Sequence, residues 1–144
     1  MSRTFLVPLD GSESSLNALQ FALTIVNDKD RVVLINVQRH EYEQFKLIGK
    51  IPKEEVEAFH LEEGNKILDA AEEKIANKNI QVEKIVRLGL PSIEIAKAAK
   101  EFSAHTIIMG SRGMSPVVSN ALGSVTYSVL HLAPCPVTIV PLAE

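Results

Sequence analysis

Residues 109–126 read MGSRGMSPVVSNALGSVT, and this stretch places Gly110, Gly113 and the pair Gly123-Ser124 between an apolar strand and a helix. The strand is TIIM, residues 106–109, a short and partly β-branched run that is typical of a buried parallel strand. Glycine lets backbone N–H groups approach an anion closely, and the first N–H groups of a helix lack partners inside it. The stretch therefore predicts a phosphate site, with turn glycines followed by a helix cap as the alternative.

Strands and helices alternate along the rest of the chain. Short apolar runs at 4–9, 32–38, 106–109 and 137–140 predict four strands, and the alternation of apolar and polar residues at 80–87 predicts a further strand nearer a sheet edge. Helical spacing predicts four helices, at 13–26, 54–78, 93–102 and 125–132. The residues expected to face the core are Leu16, Leu19 and Ala22 in the first helix, Val56 and Phe59 in the second, and Ile93, Ala96 and Ala99 in the third. Gly64 is a weak point of the second helix. Residues 39–53 have no clean period and predict a loop that covers a site.

This alternation predicts a single doubly wound α/β domain over residues 1–144, with a five-stranded parallel sheet flanked by about four helices. We expect the strand order 3-2-1-4-5, in which the first and fourth strands flank the switch point. Asp10 follows the first strand and residues 110–113 follow the fourth. Because ligands bind beyond the carboxyl ends of such strands, the two motifs should meet in one crevice.

Composition narrows the classes of partner. The chain has 144 residues, a formal net charge of −3 and one cysteine, Cys135. The charge predicts no nucleic-acid or membrane partner, and a lone cysteine excludes an internal disulfide. The N-terminal apolar run is too short for a signal peptide and no stretch reaches the length of a membrane span, so we expect a cytoplasmic protein.

Two segments resemble signatures of the universal stress protein family, namely FLVPLDGS at 5–12 and GSRG at 110–113 followed, after nine residues, by GSVTYSVLHLAPCPVTIV at 123–140. The likeness covers nearly the whole chain. The family has members that bind ATP and members that do not, and the glycine pattern that ends in a hydroxyl residue marks the binders. This resemblance implies an adenine nucleotide ligand, ATP or ADP or AMP, and a homodimer. Whether Mg²⁺ or Mn²⁺ accompanies the phosphates is left open by the sequence.

The resemblance also implies roles for individual residues. Asp10 would bond the ribose, and backbone groups of Val37 would face the adenine edge. The base pocket and the ribose would further contact Pro8, Leu9, Met109 and Gly110. The phosphates would be held by N–H and hydroxyl groups of Gly113, Gly123, Ser124, Val125 and Thr126.

Two charged residues, Asp10 and Arg112, could contact the nucleotide or could have a purely structural role. The Asp10 carboxylate suits vicinal hydroxyls as an acceptor and would be repelled by triphosphate, but Asp-Gly-Ser is also a common helix-capping turn. Arg112 could pair with phosphate through its fork of donors or could face solvent from a loop.

The predicted function is that of a nucleotide-dependent regulatory module in a stress response. The sequence contains neither GxxxxGK[ST] nor GxGxxG, and its four histidines lie on separate predicted elements, so we assign no catalytic residue and no metal ligand. The alternatives are a slow ATP hydrolase or nucleotidyl-transfer enzyme, and a partner-docking module without nucleotide. Residues 137–140 form a short apolar edge strand, where we expect the homodimer to pair.

Overall fold

The computed structural model describes residues 2–39, 51–77, 79–112 and 122–142. Along the chain the elements are β1 (Thr4–Pro8), α1 (Glu13–Ile25), β2 (Arg31–Gln38), α2 (Lys53–Glu72), β3 (Gln81–Leu88), α3 (Pro91–Glu101), β4 (Thr106–Gly110), α4 (Ser124–Leu132) and β5 (Val137–Val140). Within these ranges, no helix combines the length and the apolarity that a membrane span needs.

The five strands form one parallel sheet in the order β3-β2-β1-β4-β5. β1 pairs with β2 from Thr4 opposite Arg31 to Pro8 opposite Ile35, and its other side pairs with β4 from Phe5 opposite Thr106. The chain therefore winds from β1 toward one edge of the sheet and then crosses to the other. The predicted doubly wound fold and strand order are confirmed, and the switch point lies between β1 and β4.

Side chains alternate along the strands and fill two apolar layers. One layer joins the sheet to α1 and α2 through Phe5, Val7, Val32, Leu34, Ile108, Ala18, Leu19, Ala22, Leu68 and Ala71. The other joins it to α3 and α4 through Leu6, Val33, Ile35, Ile107, Met109, Ile95, Ala98, Ala99 and Val129. Each face of the sheet is thus covered by two helices in the part of the chain that the structure describes.

The predicted inward faces of α2 and α3 are partly wrong. Ile93 is 40% exposed, and the buried positions of α3 are Ile95, Ala98 and Ala99. Steps of three residues drift around a helix by about 60° each, so Ile93 and Ala99 point in directions about 120° apart, and only Ala99 faces the core. In α2 Phe59 is 52% exposed, while the next residue, His60, is buried.

Gly64 lets α2 lie close to the sheet. A Cβ atom at this position would lie 2.6 Å from Cγ1 of Val86 and 2.9 Å from Oδ1 of Asn36. Real Cβ atoms do not approach other atoms this closely, so a larger residue would push α2 away from β2 and β3. The residue that appears in the sequence as a weak point of the helix is a packing position.

A buried ion pair joins three elements at the amino end of the sheet. The Asp30 side chain is fully buried, and its carboxylate accepts hydrogen bonds from the backbone N–H and Nη2 of Arg3, both at 2.9 Å, and from the Asn27 N–H at 3.0 Å. Arg3 Nη2 also donates to the carbonyl of Ile25 at 3.2 Å. The hydrogen bond from Arg3 is the main reason that the pKa of Asp30 falls to about 2. The pair ties the start of β1 to the end of α1 and the start of β2.

Candidate functional site

The segments that follow β1 and β4 contact each other at the switch point. The backbone N–H of Arg112 donates to Oγ of Ser14 in the first turn of α1, at 3.2 Å. Gly110, the last residue of β4, lies so close to α1 that a Cβ atom there would be 2.6 Å from the carbonyl oxygen of Ser14. The two segments that carry the sequence motifs are therefore adjacent.

Asp10 lies in a tight turn, residues 9–12, that joins β1 to α1. Its Oδ1 accepts from the N–H of Ser12 at 2.9 Å, and Gly11 has a φ of +86°. Ser12 is the N-cap of α1, and its Oγ accepts from the N–H of Ser15 at 3.1 Å. Among the described residues nothing donates to Oδ2 of Asp10, and the side chain is exposed. One carboxylate oxygen shapes the turn, and the other is available to a ligand.

The residues near the carboxyl ends of β1 and β2 differ in whether their side chains could contact the predicted adenine base. Val37 and Val125 are half-buried and pack on the same apolar layer as Met109. We call Val37, Met109 and Val125 the apolar rim; all three lie on the face of the sheet that α3 and α4 cover. The side chain of Leu9 instead packs in the opposite layer and is only 2% exposed, while Pro8 is half-buried at the end of β1. The Leu9 side chain thus anchors the 9–12 turn in the layer between the sheet and α1 and α2, on the face opposite the apolar rim.

The start of α4 is fixed to β4 by two hydrogen bonds. The N–H of Gly123, the N-cap, donates to the carbonyl of Ser111 at 2.8 Å, and Oγ1 of the buried Thr126 donates to the carbonyl of Gly110 at 3.0 Å. No side chain of the described residues caps this helix end. The first-turn N–H groups, those of Ser124, Val125 and Thr126, lack partners inside the helix and carry the positive end of its dipole. This end of α4 can bind an anion.

The structure narrows what some of the predicted site residues can donate to a ligand. The Thr126 hydroxyl donates its hydrogen to the Gly110 carbonyl, so only the backbone N–H of Thr126 is left for phosphate. Gly123 is the N-cap of α4, and Ser124 is the first residue of the helix. Arg112 is half-buried beside the turn, whereas Gly113 and residues 40–50 of the predicted covering loop lie outside the described residues.

Sequence reasoning did not assign Ser14 or Asn36 to this site. The Ser14 hydroxyl, in the first turn of α1, accepts from the backbone N–H of Arg112. Asn36 is buried in β2, and its Nδ2 donates to the carbonyl of Leu9 at 2.7 Å. A single polar residue inside the apolar run VVLINVQ, residues 32–38, is the signal that could have identified it.

Comparison with known proteins gives a family match over almost the whole chain. The model of the Universal stress protein family matches residues 1–141. The universal stress protein YxiE of Bacillus subtilis is 35% identical over 147 residues, which cover 97% of this chain and 99% of that protein. The universal stress protein MJ0577 of Methanocaldococcus jannaschii is 30% identical over 154 residues, covering 97% and 95%.

Solved structures agree with the sequence comparison. The structure of MJ0577 superposes with a TM-score of 0.85 at 26% identity, over 99% of this chain and 97% of that one. A universal stress protein solved in complex with cAMP superposes with a TM-score of 0.60 at 25% identity, over 96% of each chain. This chain therefore shares its fold with a protein that has been solved with a bound nucleotide.

Proposed function

Because this chain belongs to the universal stress protein family, we propose that it binds an adenine nucleotide, ATP or ADP or AMP, in the crevice between β1 and β4. The observation that carries the proposal is the hydrogen bond from Arg112 to Ser14, which holds the segment after β4 against the first turn of α1, while Gly123 at the start of α4 bonds to Ser111 in the same segment. A relative of the same fold has been solved with cAMP, which supports an adenine ligand.

Each part of a nucleotide has a chemically suited partner at this edge. The free oxygen of Asp10 would accept from ribose hydroxyls, and the apolar rim with Val37 and Met109 would cover the base. The phosphates would lie at the start of α4, where N–H groups of Ser124, Val125 and Thr126 stabilise negative charge. Gly113 and Arg112 would add donors from the glycine segment, and Mg²⁺ or Mn²⁺ would offset the remaining phosphate charge.

We propose further that occupancy of this crevice is a regulatory signal in a stress response. The ligand would contact β1, β4, α4 and the turn before α1 together. Binding would therefore add contacts between these elements at one edge of the sheet, and it would change the surface that a partner meets. This role needs ligand binding and release but no rapid turnover.

The proposal predicts that Mg-ATP raises the melting temperature of the protein. A ligand that binds only the native state adds about 2.7 kcal/mol at a hundred times its Kd, which corresponds to roughly 5 to 10 °C for a chain of this size. Differential scanning calorimetry with ATP, ADP, AMP, cAMP and GTP measures the shift and ranks the ligands. We expect a smaller shift with GTP than with ATP.

Two variants show whether the shift comes from this crevice. Asp10→Ala should lose most of the ATP-dependent shift because it removes the ribose acceptor. Glu13→Ala removes the same charge from an exposed position in the first turn of α1 and should keep the shift. An unchanged melting temperature of the wild-type protein at millimolar ATP would refute nucleotide binding and favour a docking module without nucleotide.

We also propose that two copies of the chain pair along β5. This strand is the last in the sheet order, so its outer edge presents backbone N–H and C=O groups that β4 does not use. Light scattering should then give a mass of about twice 15.8 kDa at micromolar concentration. Ile139→Lys, which puts a charge on the half-buried edge, should shift the mass toward that of one chain. A single-chain mass for the wild-type protein would contradict this pairing.

A further inference from the structure

A chain of hydrogen-bonded side chains lies behind the 9–12 turn. Asn36 is 2% exposed, and its Nδ2 donates to the carbonyl of Leu9 at 2.7 Å. Nε2 of Gln38 donates to Oδ1 of Asn36 at 2.8 Å. Oε1 of Gln38 lies 3.3 Å from Nδ1 of His60 on α2. The Leu9 carbonyl fixes which way the Asn36 amide points, because only the NH₂ group of Asn36 can donate to a carbonyl, and Gln38 then satisfies the amide oxygen of Asn36.

The Leu9 carbonyl needs such a donor because the strand pairing ends there. The last paired residues of β1 and β2 are Pro8 and Ile35, and the N–H of Leu9 still donates to the carbonyl of Ile35 at 2.8 Å. Beyond that bond the chain turns away from β2. Asn36 supplies by its side chain the hydrogen bond that the sheet no longer supplies, so both backbone groups of Leu9 are held against β2.

A buried amide in this position is costly for an apolar core. It stabilises the protein little unless all its partners are in place, and leaving one of them unpaired costs about 1 to 3 kcal/mol. Gly64 gives the amide room, since a Cβ atom there would lie 2.9 Å from Oδ1 of Asn36. A valine or leucine would fill an ordinary core position without these requirements. The function of the amide is therefore to hold the turn.

We propose that Asn36 is a positioning residue for the nucleotide site, and that Gln38 holds it in place. By fixing the Leu9 backbone, Asn36 sets where the next residue, Asp10, presents its free carboxylate oxygen. Asn36 would then determine how strongly the protein prefers ligands with ribose hydroxyls, although its own side chain does not touch the ligand. This inference rests on the proposed function, since it requires that Asp10 bind the ribose.

The test compares the affinities for ATP and for 2′,3′-dideoxy-ATP by calorimetric titration. Hydrogen bonds to a charged group are worth about 1.5 to 3 kcal/mol, so the wild-type protein should prefer ATP by roughly 10- to 100-fold, and Asp10→Ala should reduce that ratio to near one. Asn36→Leu, which keeps the branched shape and the number of side-chain heavy atoms and removes the donor, should reduce the ratio about fivefold or more. Adding Asn36→Leu to Asp10→Ala should change the ratio no further.

A ratio separates positioning from stability, because a variant that only destabilises the fold weakens both ligands alike. Asn17→Ala is the matched control. Its Nδ2 also donates to a backbone carbonyl, that of Pro141, at 3.1 Å, and its loss should leave the ratio unchanged. If Asn36→Leu fails to fold, Gln38→Ala, at a half-buried position, should still lower the ratio about twofold or more.

The outcomes distinguish the two proposals. A ratio that depends on Asp10 but is the same in wild type, Asn36→Leu and Gln38→Ala would overturn the positioning role and leave nucleotide binding intact. Absence of ATP binding by the wild-type protein would refute the proposed function, and the positioning role with it. A lowered ratio in the Asn36 or Gln38 variant, with Asn17→Ala unchanged, supports the positioning role.

Discussion

Replacing Asp30 with alanine should lower the free energy of unfolding by about 2 to 3 kcal/mol, because it removes a fully buried carboxylate that accepts hydrogen bonds from two backbone N–H groups and from the Arg3 side chain. Of the two residues that donate, Arg3 is half-buried and Asn27 is exposed. The side chain of Arg3 would lose its ion pair as well. Urea unfolding at neutral pH measures the loss. Asp28→Ala, which removes an exposed carboxylate two residues earlier, should change the free energy by less than about 0.5 kcal/mol.

The pH dependence of the free energy of unfolding gives an independent measure of the interaction between Asp30 and Arg3. The pKa of Asp30 lies at about 2 in the folded protein, below its ordinary value of 3.8. A lowered pKa contributes stability above the ordinary value, and that contribution is lost as the pH falls from about 5 toward 2. The contribution amounts to about 2 kcal/mol. The Asp30→Ala protein should therefore lose less stability than the wild type over this range, and equal losses in the two proteins would argue against the ion pair.

The sheet was predictable because its signals are local. Four of the strands are short apolar runs, β3 alternates apolar and polar residues, and β5 begins and ends at the predicted residues. Alternation with helices and the handedness of crossovers then leave few strand orders, and the order that the sequence favours is confirmed. The inward faces of α2 and α3 were less predictable, because His60 and Gly64 occupy buried positions that an apolar pattern does not mark.

Some features of the candidate site could likewise be predicted from the sequence, and others could not. The approach of the 9–12 turn to the end of β4 follows from topology, so Asp10 and Gly110 could be assigned to one edge of the sheet from sequence. The bond from Arg112 to Ser14 and the bond from Asn36 to Leu9 could not, because they join residues 98 and 27 positions apart. Such contacts depend on how closely two packed elements approach, and sequence spacing carries no information about that distance.

Gly110→Ala should destabilise the protein by about 1 to 3 kcal/mol and weaken ATP binding, because the new methyl group collides with the backbone of α1. Its Cβ would lie 2.6 Å from the carbonyl oxygen of Ser14 and 2.7 Å from the carbonyl carbon. These atoms belong to the first turn of a helix and cannot rotate away, so α1 must move from β4. The Gly110 carbonyl also accepts from Thr126, so the same movement disturbs the start of α4. Thermal unfolding with and without Mg-ATP measures both effects.

Two further variants show that crowding of the helix backbone causes these losses. Ser14→Ala removes the side chain but not the backbone atoms, so the Gly110→Ala/Ser14→Ala protein should be no more stable than Gly110→Ala. Gly11→Ala places a methyl group with no atom nearer than 3.8 Å and should lose only about 1 to 2 kcal/mol, through its φ of +86°. Recovery of stability in the double variant would mean that the Ser14 hydroxyl, which also accepts from Arg112, is the atom that Gly110 accommodates. In that case the close approach of α1 to β4 would serve the bond between the two motifs rather than the packing of the core.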